Sequence, residues 1–213
     1  LTATIHLIRH AESLWNVERR YQGQGDSGLT ELGRAQAAAL ATALPVLVPH
    51  ADLLIASDLP RAFDTAVPTA AALGLEIETD TRLRELDMGT WSGRLISEMA
   101  QEEPALVAAF AAGQDVRRGG GEVFAEMRKR VAAAIDDLFA RALDLAADPV
   151  VLAFTHGGPI RMAVAELFGT PSPGTEFVSG LLNCSVTTIQ QAGGARKLVR
   201  FNVPGASQKE TRA

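Results

Sequence analysis

The chain has 213 residues, 47% of them hydrophobic and 21% charged, with a net charge of -5. That balance suits a soluble globular protein with a substantial core. It leaves no global basic field to hold nucleic acid or an anionic membrane, so an anionic substrate must find local positive charge. The single cysteine, Cys184, rules out an internal disulfide framework and reads as a buried structural thiol. No apolar run reaches the ~18 residues of a membrane span and no signal-like leader is present, so the cytoplasm is the expected compartment.

Short apolar runs alternate with longer Ala-rich stretches. Thr4–Ile8, Leu53–Ala56 and Val150–Phe154 read as strands. Thr30 can cap a helix running to about Leu44, where Pro45 should stop it. A second helix is expected from Leu59 to Leu73, closed by Gly74, with a kink or break at Pro68. Leu75–Glu78 reads as a short strand, and residues 95–112 as one or two helices with a fresh start at Pro104. The triple glycine Gly119–Gly121 is a loop, followed by a helix over about 122–147. A helix from about Pro159 to Phe168 should close at Gly169. Ser185–Gln190 and Lys197–Phe201 flank a Gly-Gly turn and read as an antiparallel hairpin at the sheet edge, where a second copy could pair to form a homodimer. The polar tail after Pro204 should fray.

This alternation predicts an α/β fold: a three-layer α/β/α sandwich, its central sheet mainly parallel with an antiparallel edge. No linker or composition shift splits residues 1–213, so one domain is expected, with residues 80–125 inserted over one end of the sheet. Three strand ends carry polar residues. The first gives Arg9 and His10, the second Ser57 with Arg61 one helical turn on, and the third His156 followed by Gly157 and Gly158. In a parallel sheet these ends share one rim, where ligands bind.

Two imidazoles and two guanidiniums suit a phosphate monoester. Guanidinium forks match phosphate oxygens, and helix N-terminal amides after Gly157 can hold others. One histidine can attack phosphorus as neutral imidazole, helped by arginines that disfavour its charged form, while the other donates hydrogen bonds. A proton donor for the leaving alcohol is still needed. Glu85 is the candidate, because a carboxyl beside a bound dianion holds its proton more readily, and Asp87 is its competitor.

Several other features have simpler readings. His6 reads as a core histidine, His50 as surface, Trp91 as packing, and Ser57 as a helix cap or a substrate contact. Arg117 and Arg118 read as solvated, or as contacts for a second anionic group on the substrate. Gly23-Gln-Gly-Asp-Ser-Gly28 fits a dinucleotide fingerprint literally, but the polar VERRYQ before it cannot be the strand that fingerprint requires. Cys184 lacks an arginine six residues on, and neither an Asp-x-Asp motif nor a zinc-binding pattern occurs. Neither a metal nor a cofactor is expected.

Read together, Arg9-His10-Ala11-Glu12, Asn16, Gln22-Gly23, LTELGRAQA, Ser57-Asp58-Leu59-x-Arg61-Ala62-x-x-Thr65, Arg84-Glu85, Gly89-x-Trp91-x-Gly93, Gly120-Gly121-Glu122 and Thr155-His156-Gly157-Gly158 resemble the histidine phosphatase, or phosphoglycerate mutase-like, superfamily over about residues 4–190. The resemblance implies His10 as phosphorylated nucleophile, with Arg9, Arg61 and His156 completing a phosphate pocket. It also implies Glu85 as proton donor, Asn16 as a phosphate-side ligand, and Gln22 and Gly23 near the pocket mouth. Two positions depart from the family pattern: Ala11 replaces a glycine, and Val123 stands where serine is common, removing a hydroxyl on the substrate side. The compact form of RELDMGTWSGRLISEM resembles the family's phosphatases, so the expected activity is hydrolysis of a small phosphorylated metabolite. Mutase activity is the alternative, and a non-catalytic phospho-ligand binder the third reading.

Overall fold

A computed structural model describes residues 1–171 and 180–206. Six strands form one sheet in the order β3-β2-β4-β1-β5-β6. They are β1 (Thr2–Arg9), β2 (Leu53–Ala56), β3 (Ile77–Thr79), β4 (Val150–Thr155), β5 (Ser185–Ala192) and β6 (Ala195–Pro204). The first four are mutually parallel; β5 runs antiparallel to β1, and β6 to β5. The chain is thus an α/β protein with a mainly parallel sheet and an antiparallel edge.

The central strands are apolar on both faces because helices cover both. Ile5, Leu7, Val151 and Ala153 pack against α6 (Phe124–Leu145) and α7 (Gly157–Leu167). Ile8, Leu54, Leu152 and Phe154 pack against α2 (Glu31–Leu47) and α3 (Pro60–Leu73). Burying a side chain of this size stabilises the fold by about 1.5–3 kcal/mol. His6 is buried and its Nδ1 lies 2.9 Å from the Thr188 hydroxyl on β5, as a core histidine should be.

The stop expected at Pro45 requires correction, and no break interrupts the second helix at Pro68. Helix α2 continues through Pro45 to Leu47, and α3 runs through Pro68 to Leu73. In α3 the buried residues Thr65, Ala66, Thr69 and Ala70 tie the helix to the core on both sides of the ring, and in α2 Leu40, Ala41 and Leu44 do so ahead of Pro45, with Val48 buried just past the helix end. Tertiary packing overrides the local penalty. Gly74 does end α3, in the left-handed conformation with φ 66°.

The remaining short elements precede or overlie the C-terminal rim. They are α1 (Leu14–Val17), two 3₁₀ turns at Thr81–Leu83 and Gly89–Trp91, α4 (Ile96–Glu102) and α5 (Pro104–Ala111). Val123, at the N-cap of α6, has no acceptor to cap with, so Asp115 does the work. Its carboxylate accepts from the backbone N–H of Phe124 at 2.7 Å and of Ala125 at 2.9 Å. Trp91 is buried, its indole N–H donating to Glu103 at 2.8 Å. The expected fraying of the tail falls, from residue 207 on, outside the described residues.

Candidate active site

Strand register assembles the site. Arg9 pairs with Thr155 across β1 and β4, and Ala56 pairs with Phe154 across β2 and β4. The next residue of each strand is therefore His10, His156 and Ser57, side by side on one rim. The two imidazole rings stand 5.3 Å apart, and His156 Nε2 lies 2.9 Å from the Ser57 hydroxyl. Ser57 also accepts from the Leu59 N–H at 3.3 Å, so it caps the turn into α3 and orients His156 together. That contact leaves His156 Nδ1 buried with no hydrogen-bond partner among the described residues.

His10 Nδ1 lies 2.7 Å from the carbonyl of Ala11. Only a donor suits a carbonyl, so Nδ1 carries the proton and Nε2 keeps the lone pair. Ala11 is held in turn by its N–H, which donates to Thr65 Oγ1 at 3.0 Å, while the Thr65 hydroxyl donates to the Arg61 carbonyl at 2.6 Å. Ala11 does not adopt positive φ, so its methyl group causes no strain and packs in the α2/α3 core. Both imidazoles are held well below the ordinary histidine range. Burial is the larger cause for each; Arg9 and Arg61 then add to it for His10, and Arg61, His10 and Arg9 for His156.

Arg61 is fully buried at the start of α3. Its guanidinium donates to the carbonyls of Gly25 and Gly23, both at 2.7 Å, and meets Asp26 at 3.3 Å. The glycine-rich stretch that mimicked a dinucleotide fingerprint is therefore a cradle for an arginine. Gly23 serves by its carbonyl, and its φ of 55° and the Met88 atoms 2.8 Å from any added Cβ demand glycine. Arg9 donates to the carbonyl of Leu181. The Nε atoms of Arg9 and Arg61 are buried without partners among the described residues, two donors suited to an anion.

Glu85 sits over the N-terminus of α7. Its Oε2 accepts from the Gly158 N–H at 3.0 Å and its Oε1 from the Leu86 N–H at 2.8 Å. Asp87, the competitor, instead closes a turn by accepting from the Gly89 N–H at 2.8 Å. Gly157 is the first residue of α7, where an added Cβ would stand 3.7 Å from Arg9 Nε. Asn16 and Gln22 are tied into a local network: Asn16 Oδ1 accepts from the Ser13 backbone N–H at 3.2 Å, and the Ser13 hydroxyl donates to Gln22 Oε1 at 2.8 Å.

The sequence reading missed the group that steadies Glu85. Arg130 on α6 donates to the carbonyls of Arg82 and Arg84, both at 2.7 Å, and of Glu85 at 2.9 Å. Glu122 pairs with it at 2.7 Å. One guanidinium thus fixes the whole loop that carries the acid, a role hidden in the charged run MRKR. Arg118 is a second surprise. The solvated reading holds for Arg117, which is exposed and paired with Glu126, but Arg118 is buried.

A cavity of about 300 Å³ adjoins the rim, lined by Gln22, Gly23, Glu85, Phe110, Arg118 and Gly158 among others. A larger one, about 450 Å³, lies between α6, α7 and β5, where the charged pair Asp136–Arg196 is already closed at 2.6 Å. Among the described residues, no three His, Cys, Asp or Glu side chains gather to hold a metal ion, and no helix is long and apolar enough to cross a membrane.

With this geometry established, comparison with known proteins is informative. The family model of the histidine phosphatase superfamily (branch 1) matches residues 5–204. The chain belongs to the histidine phosphatase superfamily. It is 38% identical over 187 residues to a "Probable phosphoglycerate mutase GpmB" from Salmonella choleraesuis (strain SC-B67), covering 87% of this chain and 83% of that protein. It also resembles the solved structure of a mycobacterial glucosyl-3-phosphoglycerate phosphatase complexed with VO3, with TM-score 0.84 and 32% identity over 94% of this chain and 99% of that one. A third similar structure is the alpha-ribazole phosphatase from Shigella flexneri, with TM-score 0.83 and 25% identity over 96% and 98% of the two chains. Members of this superfamily thus include phosphatases and mutases among the chain's own relatives.

Proposed function

We propose that the protein is a metal-independent phosphomonoesterase that hydrolyses small phosphorylated metabolites through a phosphohistidine on His10. The observation that carries this reading is the locked tautomer of His10, with Nδ1 on the Ala11 carbonyl and Nε2 left as nucleophile beside Arg9, Arg61 and His156. In the first step Nε2 attacks phosphorus and the P–O bond to the alcohol breaks. The protonated carboxyl of Glu85 gives its proton to the leaving oxygen. The guanidiniums of Arg9 and Arg61, together with His156, stabilise charge on the transferring oxygens. Water then attacks the phosphohistidine, Glu85 takes up a proton from it, and the N–P bond breaks to release inorganic phosphate and neutral His10.

Phosphoryl return to a second hydroxyl would make the same site a mutase, and the 38% identity to a protein named as a probable mutase favours testing it. Hydrolysis is the better reading because the segment over the rim is compact, with α4 and α5 of 7 and 8 residues. The purified protein should hydrolyse p-nitrophenyl phosphate in excess chelator, and His10→Ala should abolish it. Activity that survives His10→Ala overturns the nucleophile. Fast conversion of 3-phosphoglycerate to 2-phosphoglycerate with 2,3-bisphosphoglycerate present, without phosphate release, would establish the mutase instead.

A further inference from the structure

His10 owes its tautomer to the Ala11 carbonyl, and that carbonyl belongs to a peptide unit held by a side chain from another element. A peptide unit is planar, so fixing its N–H at one end aims its C=O at the other. The unit joining Ala11 to Glu12 offers its C=O to His10 Nδ1 at 2.7 Å and its N–H to Gln36 Oε1, on α2, at 2.9 Å. The preceding unit, joining His10 to Ala11, is pinned in the same manner. Its C=O accepts from Asn183 Nδ2 at 2.9 Å, and its N–H donates to Thr65 Oγ1 at 3.0 Å. Side chains thus fix both peptide planes between His10 and Glu12, just past the end of β1. Were the Ala11 carbonyl to turn away, Nδ1 would lose its acceptor and the proton could move to Nε2, which would then have no lone pair for phosphorus.

The stretch LTELGRAQA, which holds none of the catalytic groups, brings Gln36 to this place. The Thr30 N–H donates to the Glu12 carbonyl at 3.0 Å, while the Thr30 hydroxyl caps α2 by accepting from the Gly33 N–H at 2.8 Å. Gly33 faces the same carbonyl. A Cβ there would stand 2.0 Å from the Glu12 oxygen, so any other residue would push α2 off the strand end. Gln36 follows three residues later on the same helix face, within reach of the Glu12 N–H. Thr30, Gly33 and Gln36 therefore form one clamp on the backbone of Glu12. A cavity of about 160 Å³ lies beside Gln36, shared with Asn183 and Cys184. A side chain lacking the amide oxygen has room there, so its substitution tests the hydrogen bond and not overpacking.

We propose that Gln36 is a positioning residue: by accepting from the Glu12 N–H it aims the Ala11 carbonyl at His10 and so selects the tautomer that leaves Nε2 free to attack. Its bearing on rate rests on the phosphohistidine reading above. The test reads the tautomer directly, by nitrogen-15 NMR of histidine-labelled protein, with the His10 signals assigned by their loss in His10→Ala. Wild-type His10 should carry its proton on Nδ1. In Gln36→Met that fraction should drop, and kcat for p-nitrophenyl phosphate should fall by about 10- to 100-fold with KM changed less than about twofold. Gln36→Glu, which keeps an oxygen at the same reach, should retain the Nδ1 proton and recover part of kcat. A wild-type tautomer and kcat in Gln36→Met overturn the assignment, as do equal losses in the Met and Glu variants, which would mean packing alone. If Gln36→Met does not fold by thermal melt, Gln36→Asn, whose amide falls short of the Glu12 N–H, is judged by the same outcomes. Activity that survives His10→Ala overturns the phosphohistidine reading, while the tautomer shift still judges Gln36. Wild-type His10 protonated on Nε2 overturns both.

Discussion

A Cβ on Gly158 would stand 1.9 Å from Oε1 of Glu85. The acid and the N-terminus of α7 are therefore packed so closely that only a glycine leaves room for the carboxylate and offers its N–H to it. Gly158→Ala should push Glu85 off the helix end. Because general acid catalysis contributes typically 10²–10⁴-fold, alkyl phosphates should lose at least about 100-fold in kcat. Activated aryl phosphates, which need little protonation, should lose far less. A Brønsted plot across leaving groups checks this; parallel losses would contradict the acid role of Glu85.

Arg130 should behave similarly from farther away. Replacing it with Met frees the carbonyls of Arg82, Arg84 and Glu85 and strands Glu122. The expected result is a lower melting temperature and a larger kcat loss for alkyl than for aryl phosphates, with KM little changed. Leaving buried partners unsatisfied costs about 1–3 kcal/mol. Steady-state kinetics with both ester classes, alongside a urea melt, separates positioning from simple destabilisation.

Ser57→Ala removes the group that holds His156 Nε2. We expect kcat to fall by about 10-fold, since a misaligned donor no longer meets the transferring oxygens, while a deleted hydrogen bond of this kind costs about 1 kcal/mol of stability. Ser57→Thr, which retains a hydroxyl, should recover part of the rate. The recovery, measured at saturating substrate, tells orientation from packing.

Stability should fall on mild acidification because of His6. Burial, with Arg200 adding to it, lowers its pKa to about 4 from the ordinary 6.5. Between these values the unfolded chain binds a proton that the folded protein refuses, so stability declines as pH drops through 6.5 and levels off near 4. The full loss attributable to His6 is on the order of 3 kcal/mol. Urea midpoints measured from pH 7 to pH 4 should fall more gently in His6→Gln, whose amide can still meet the Thr188 hydroxyl. An unchanged slope would place the acid sensitivity elsewhere.

Local signals alone determined much of this protein. Period and composition located each main strand and helix, and the polar residues at strand ends named His10, Ser57 and His156, because a parallel sheet must bring those ends to one rim. Glu85 was legible as a carboxyl near that rim, although nothing in TRLREL distinguished it from Asp87 as the group over α7. Pro45 misled for the opposite reason: proline's local cost is visible in the sequence, while the core contacts that outweigh it are not. Tertiary structure alone decided which partner each polar group meets. The carbonyls of Gly23 and Gly25 take Arg61 although they lie more than thirty residues away in sequence, and Arg130 reaches back to the Glu85 loop from the middle of a helix. Arg117 and Arg118 are neighbours with the same charge, yet one is paired in solvent and the other is buried against two rings. A side chain's chemistry is set by its residue type, but its charge balance depends on what long-range packing places beside it.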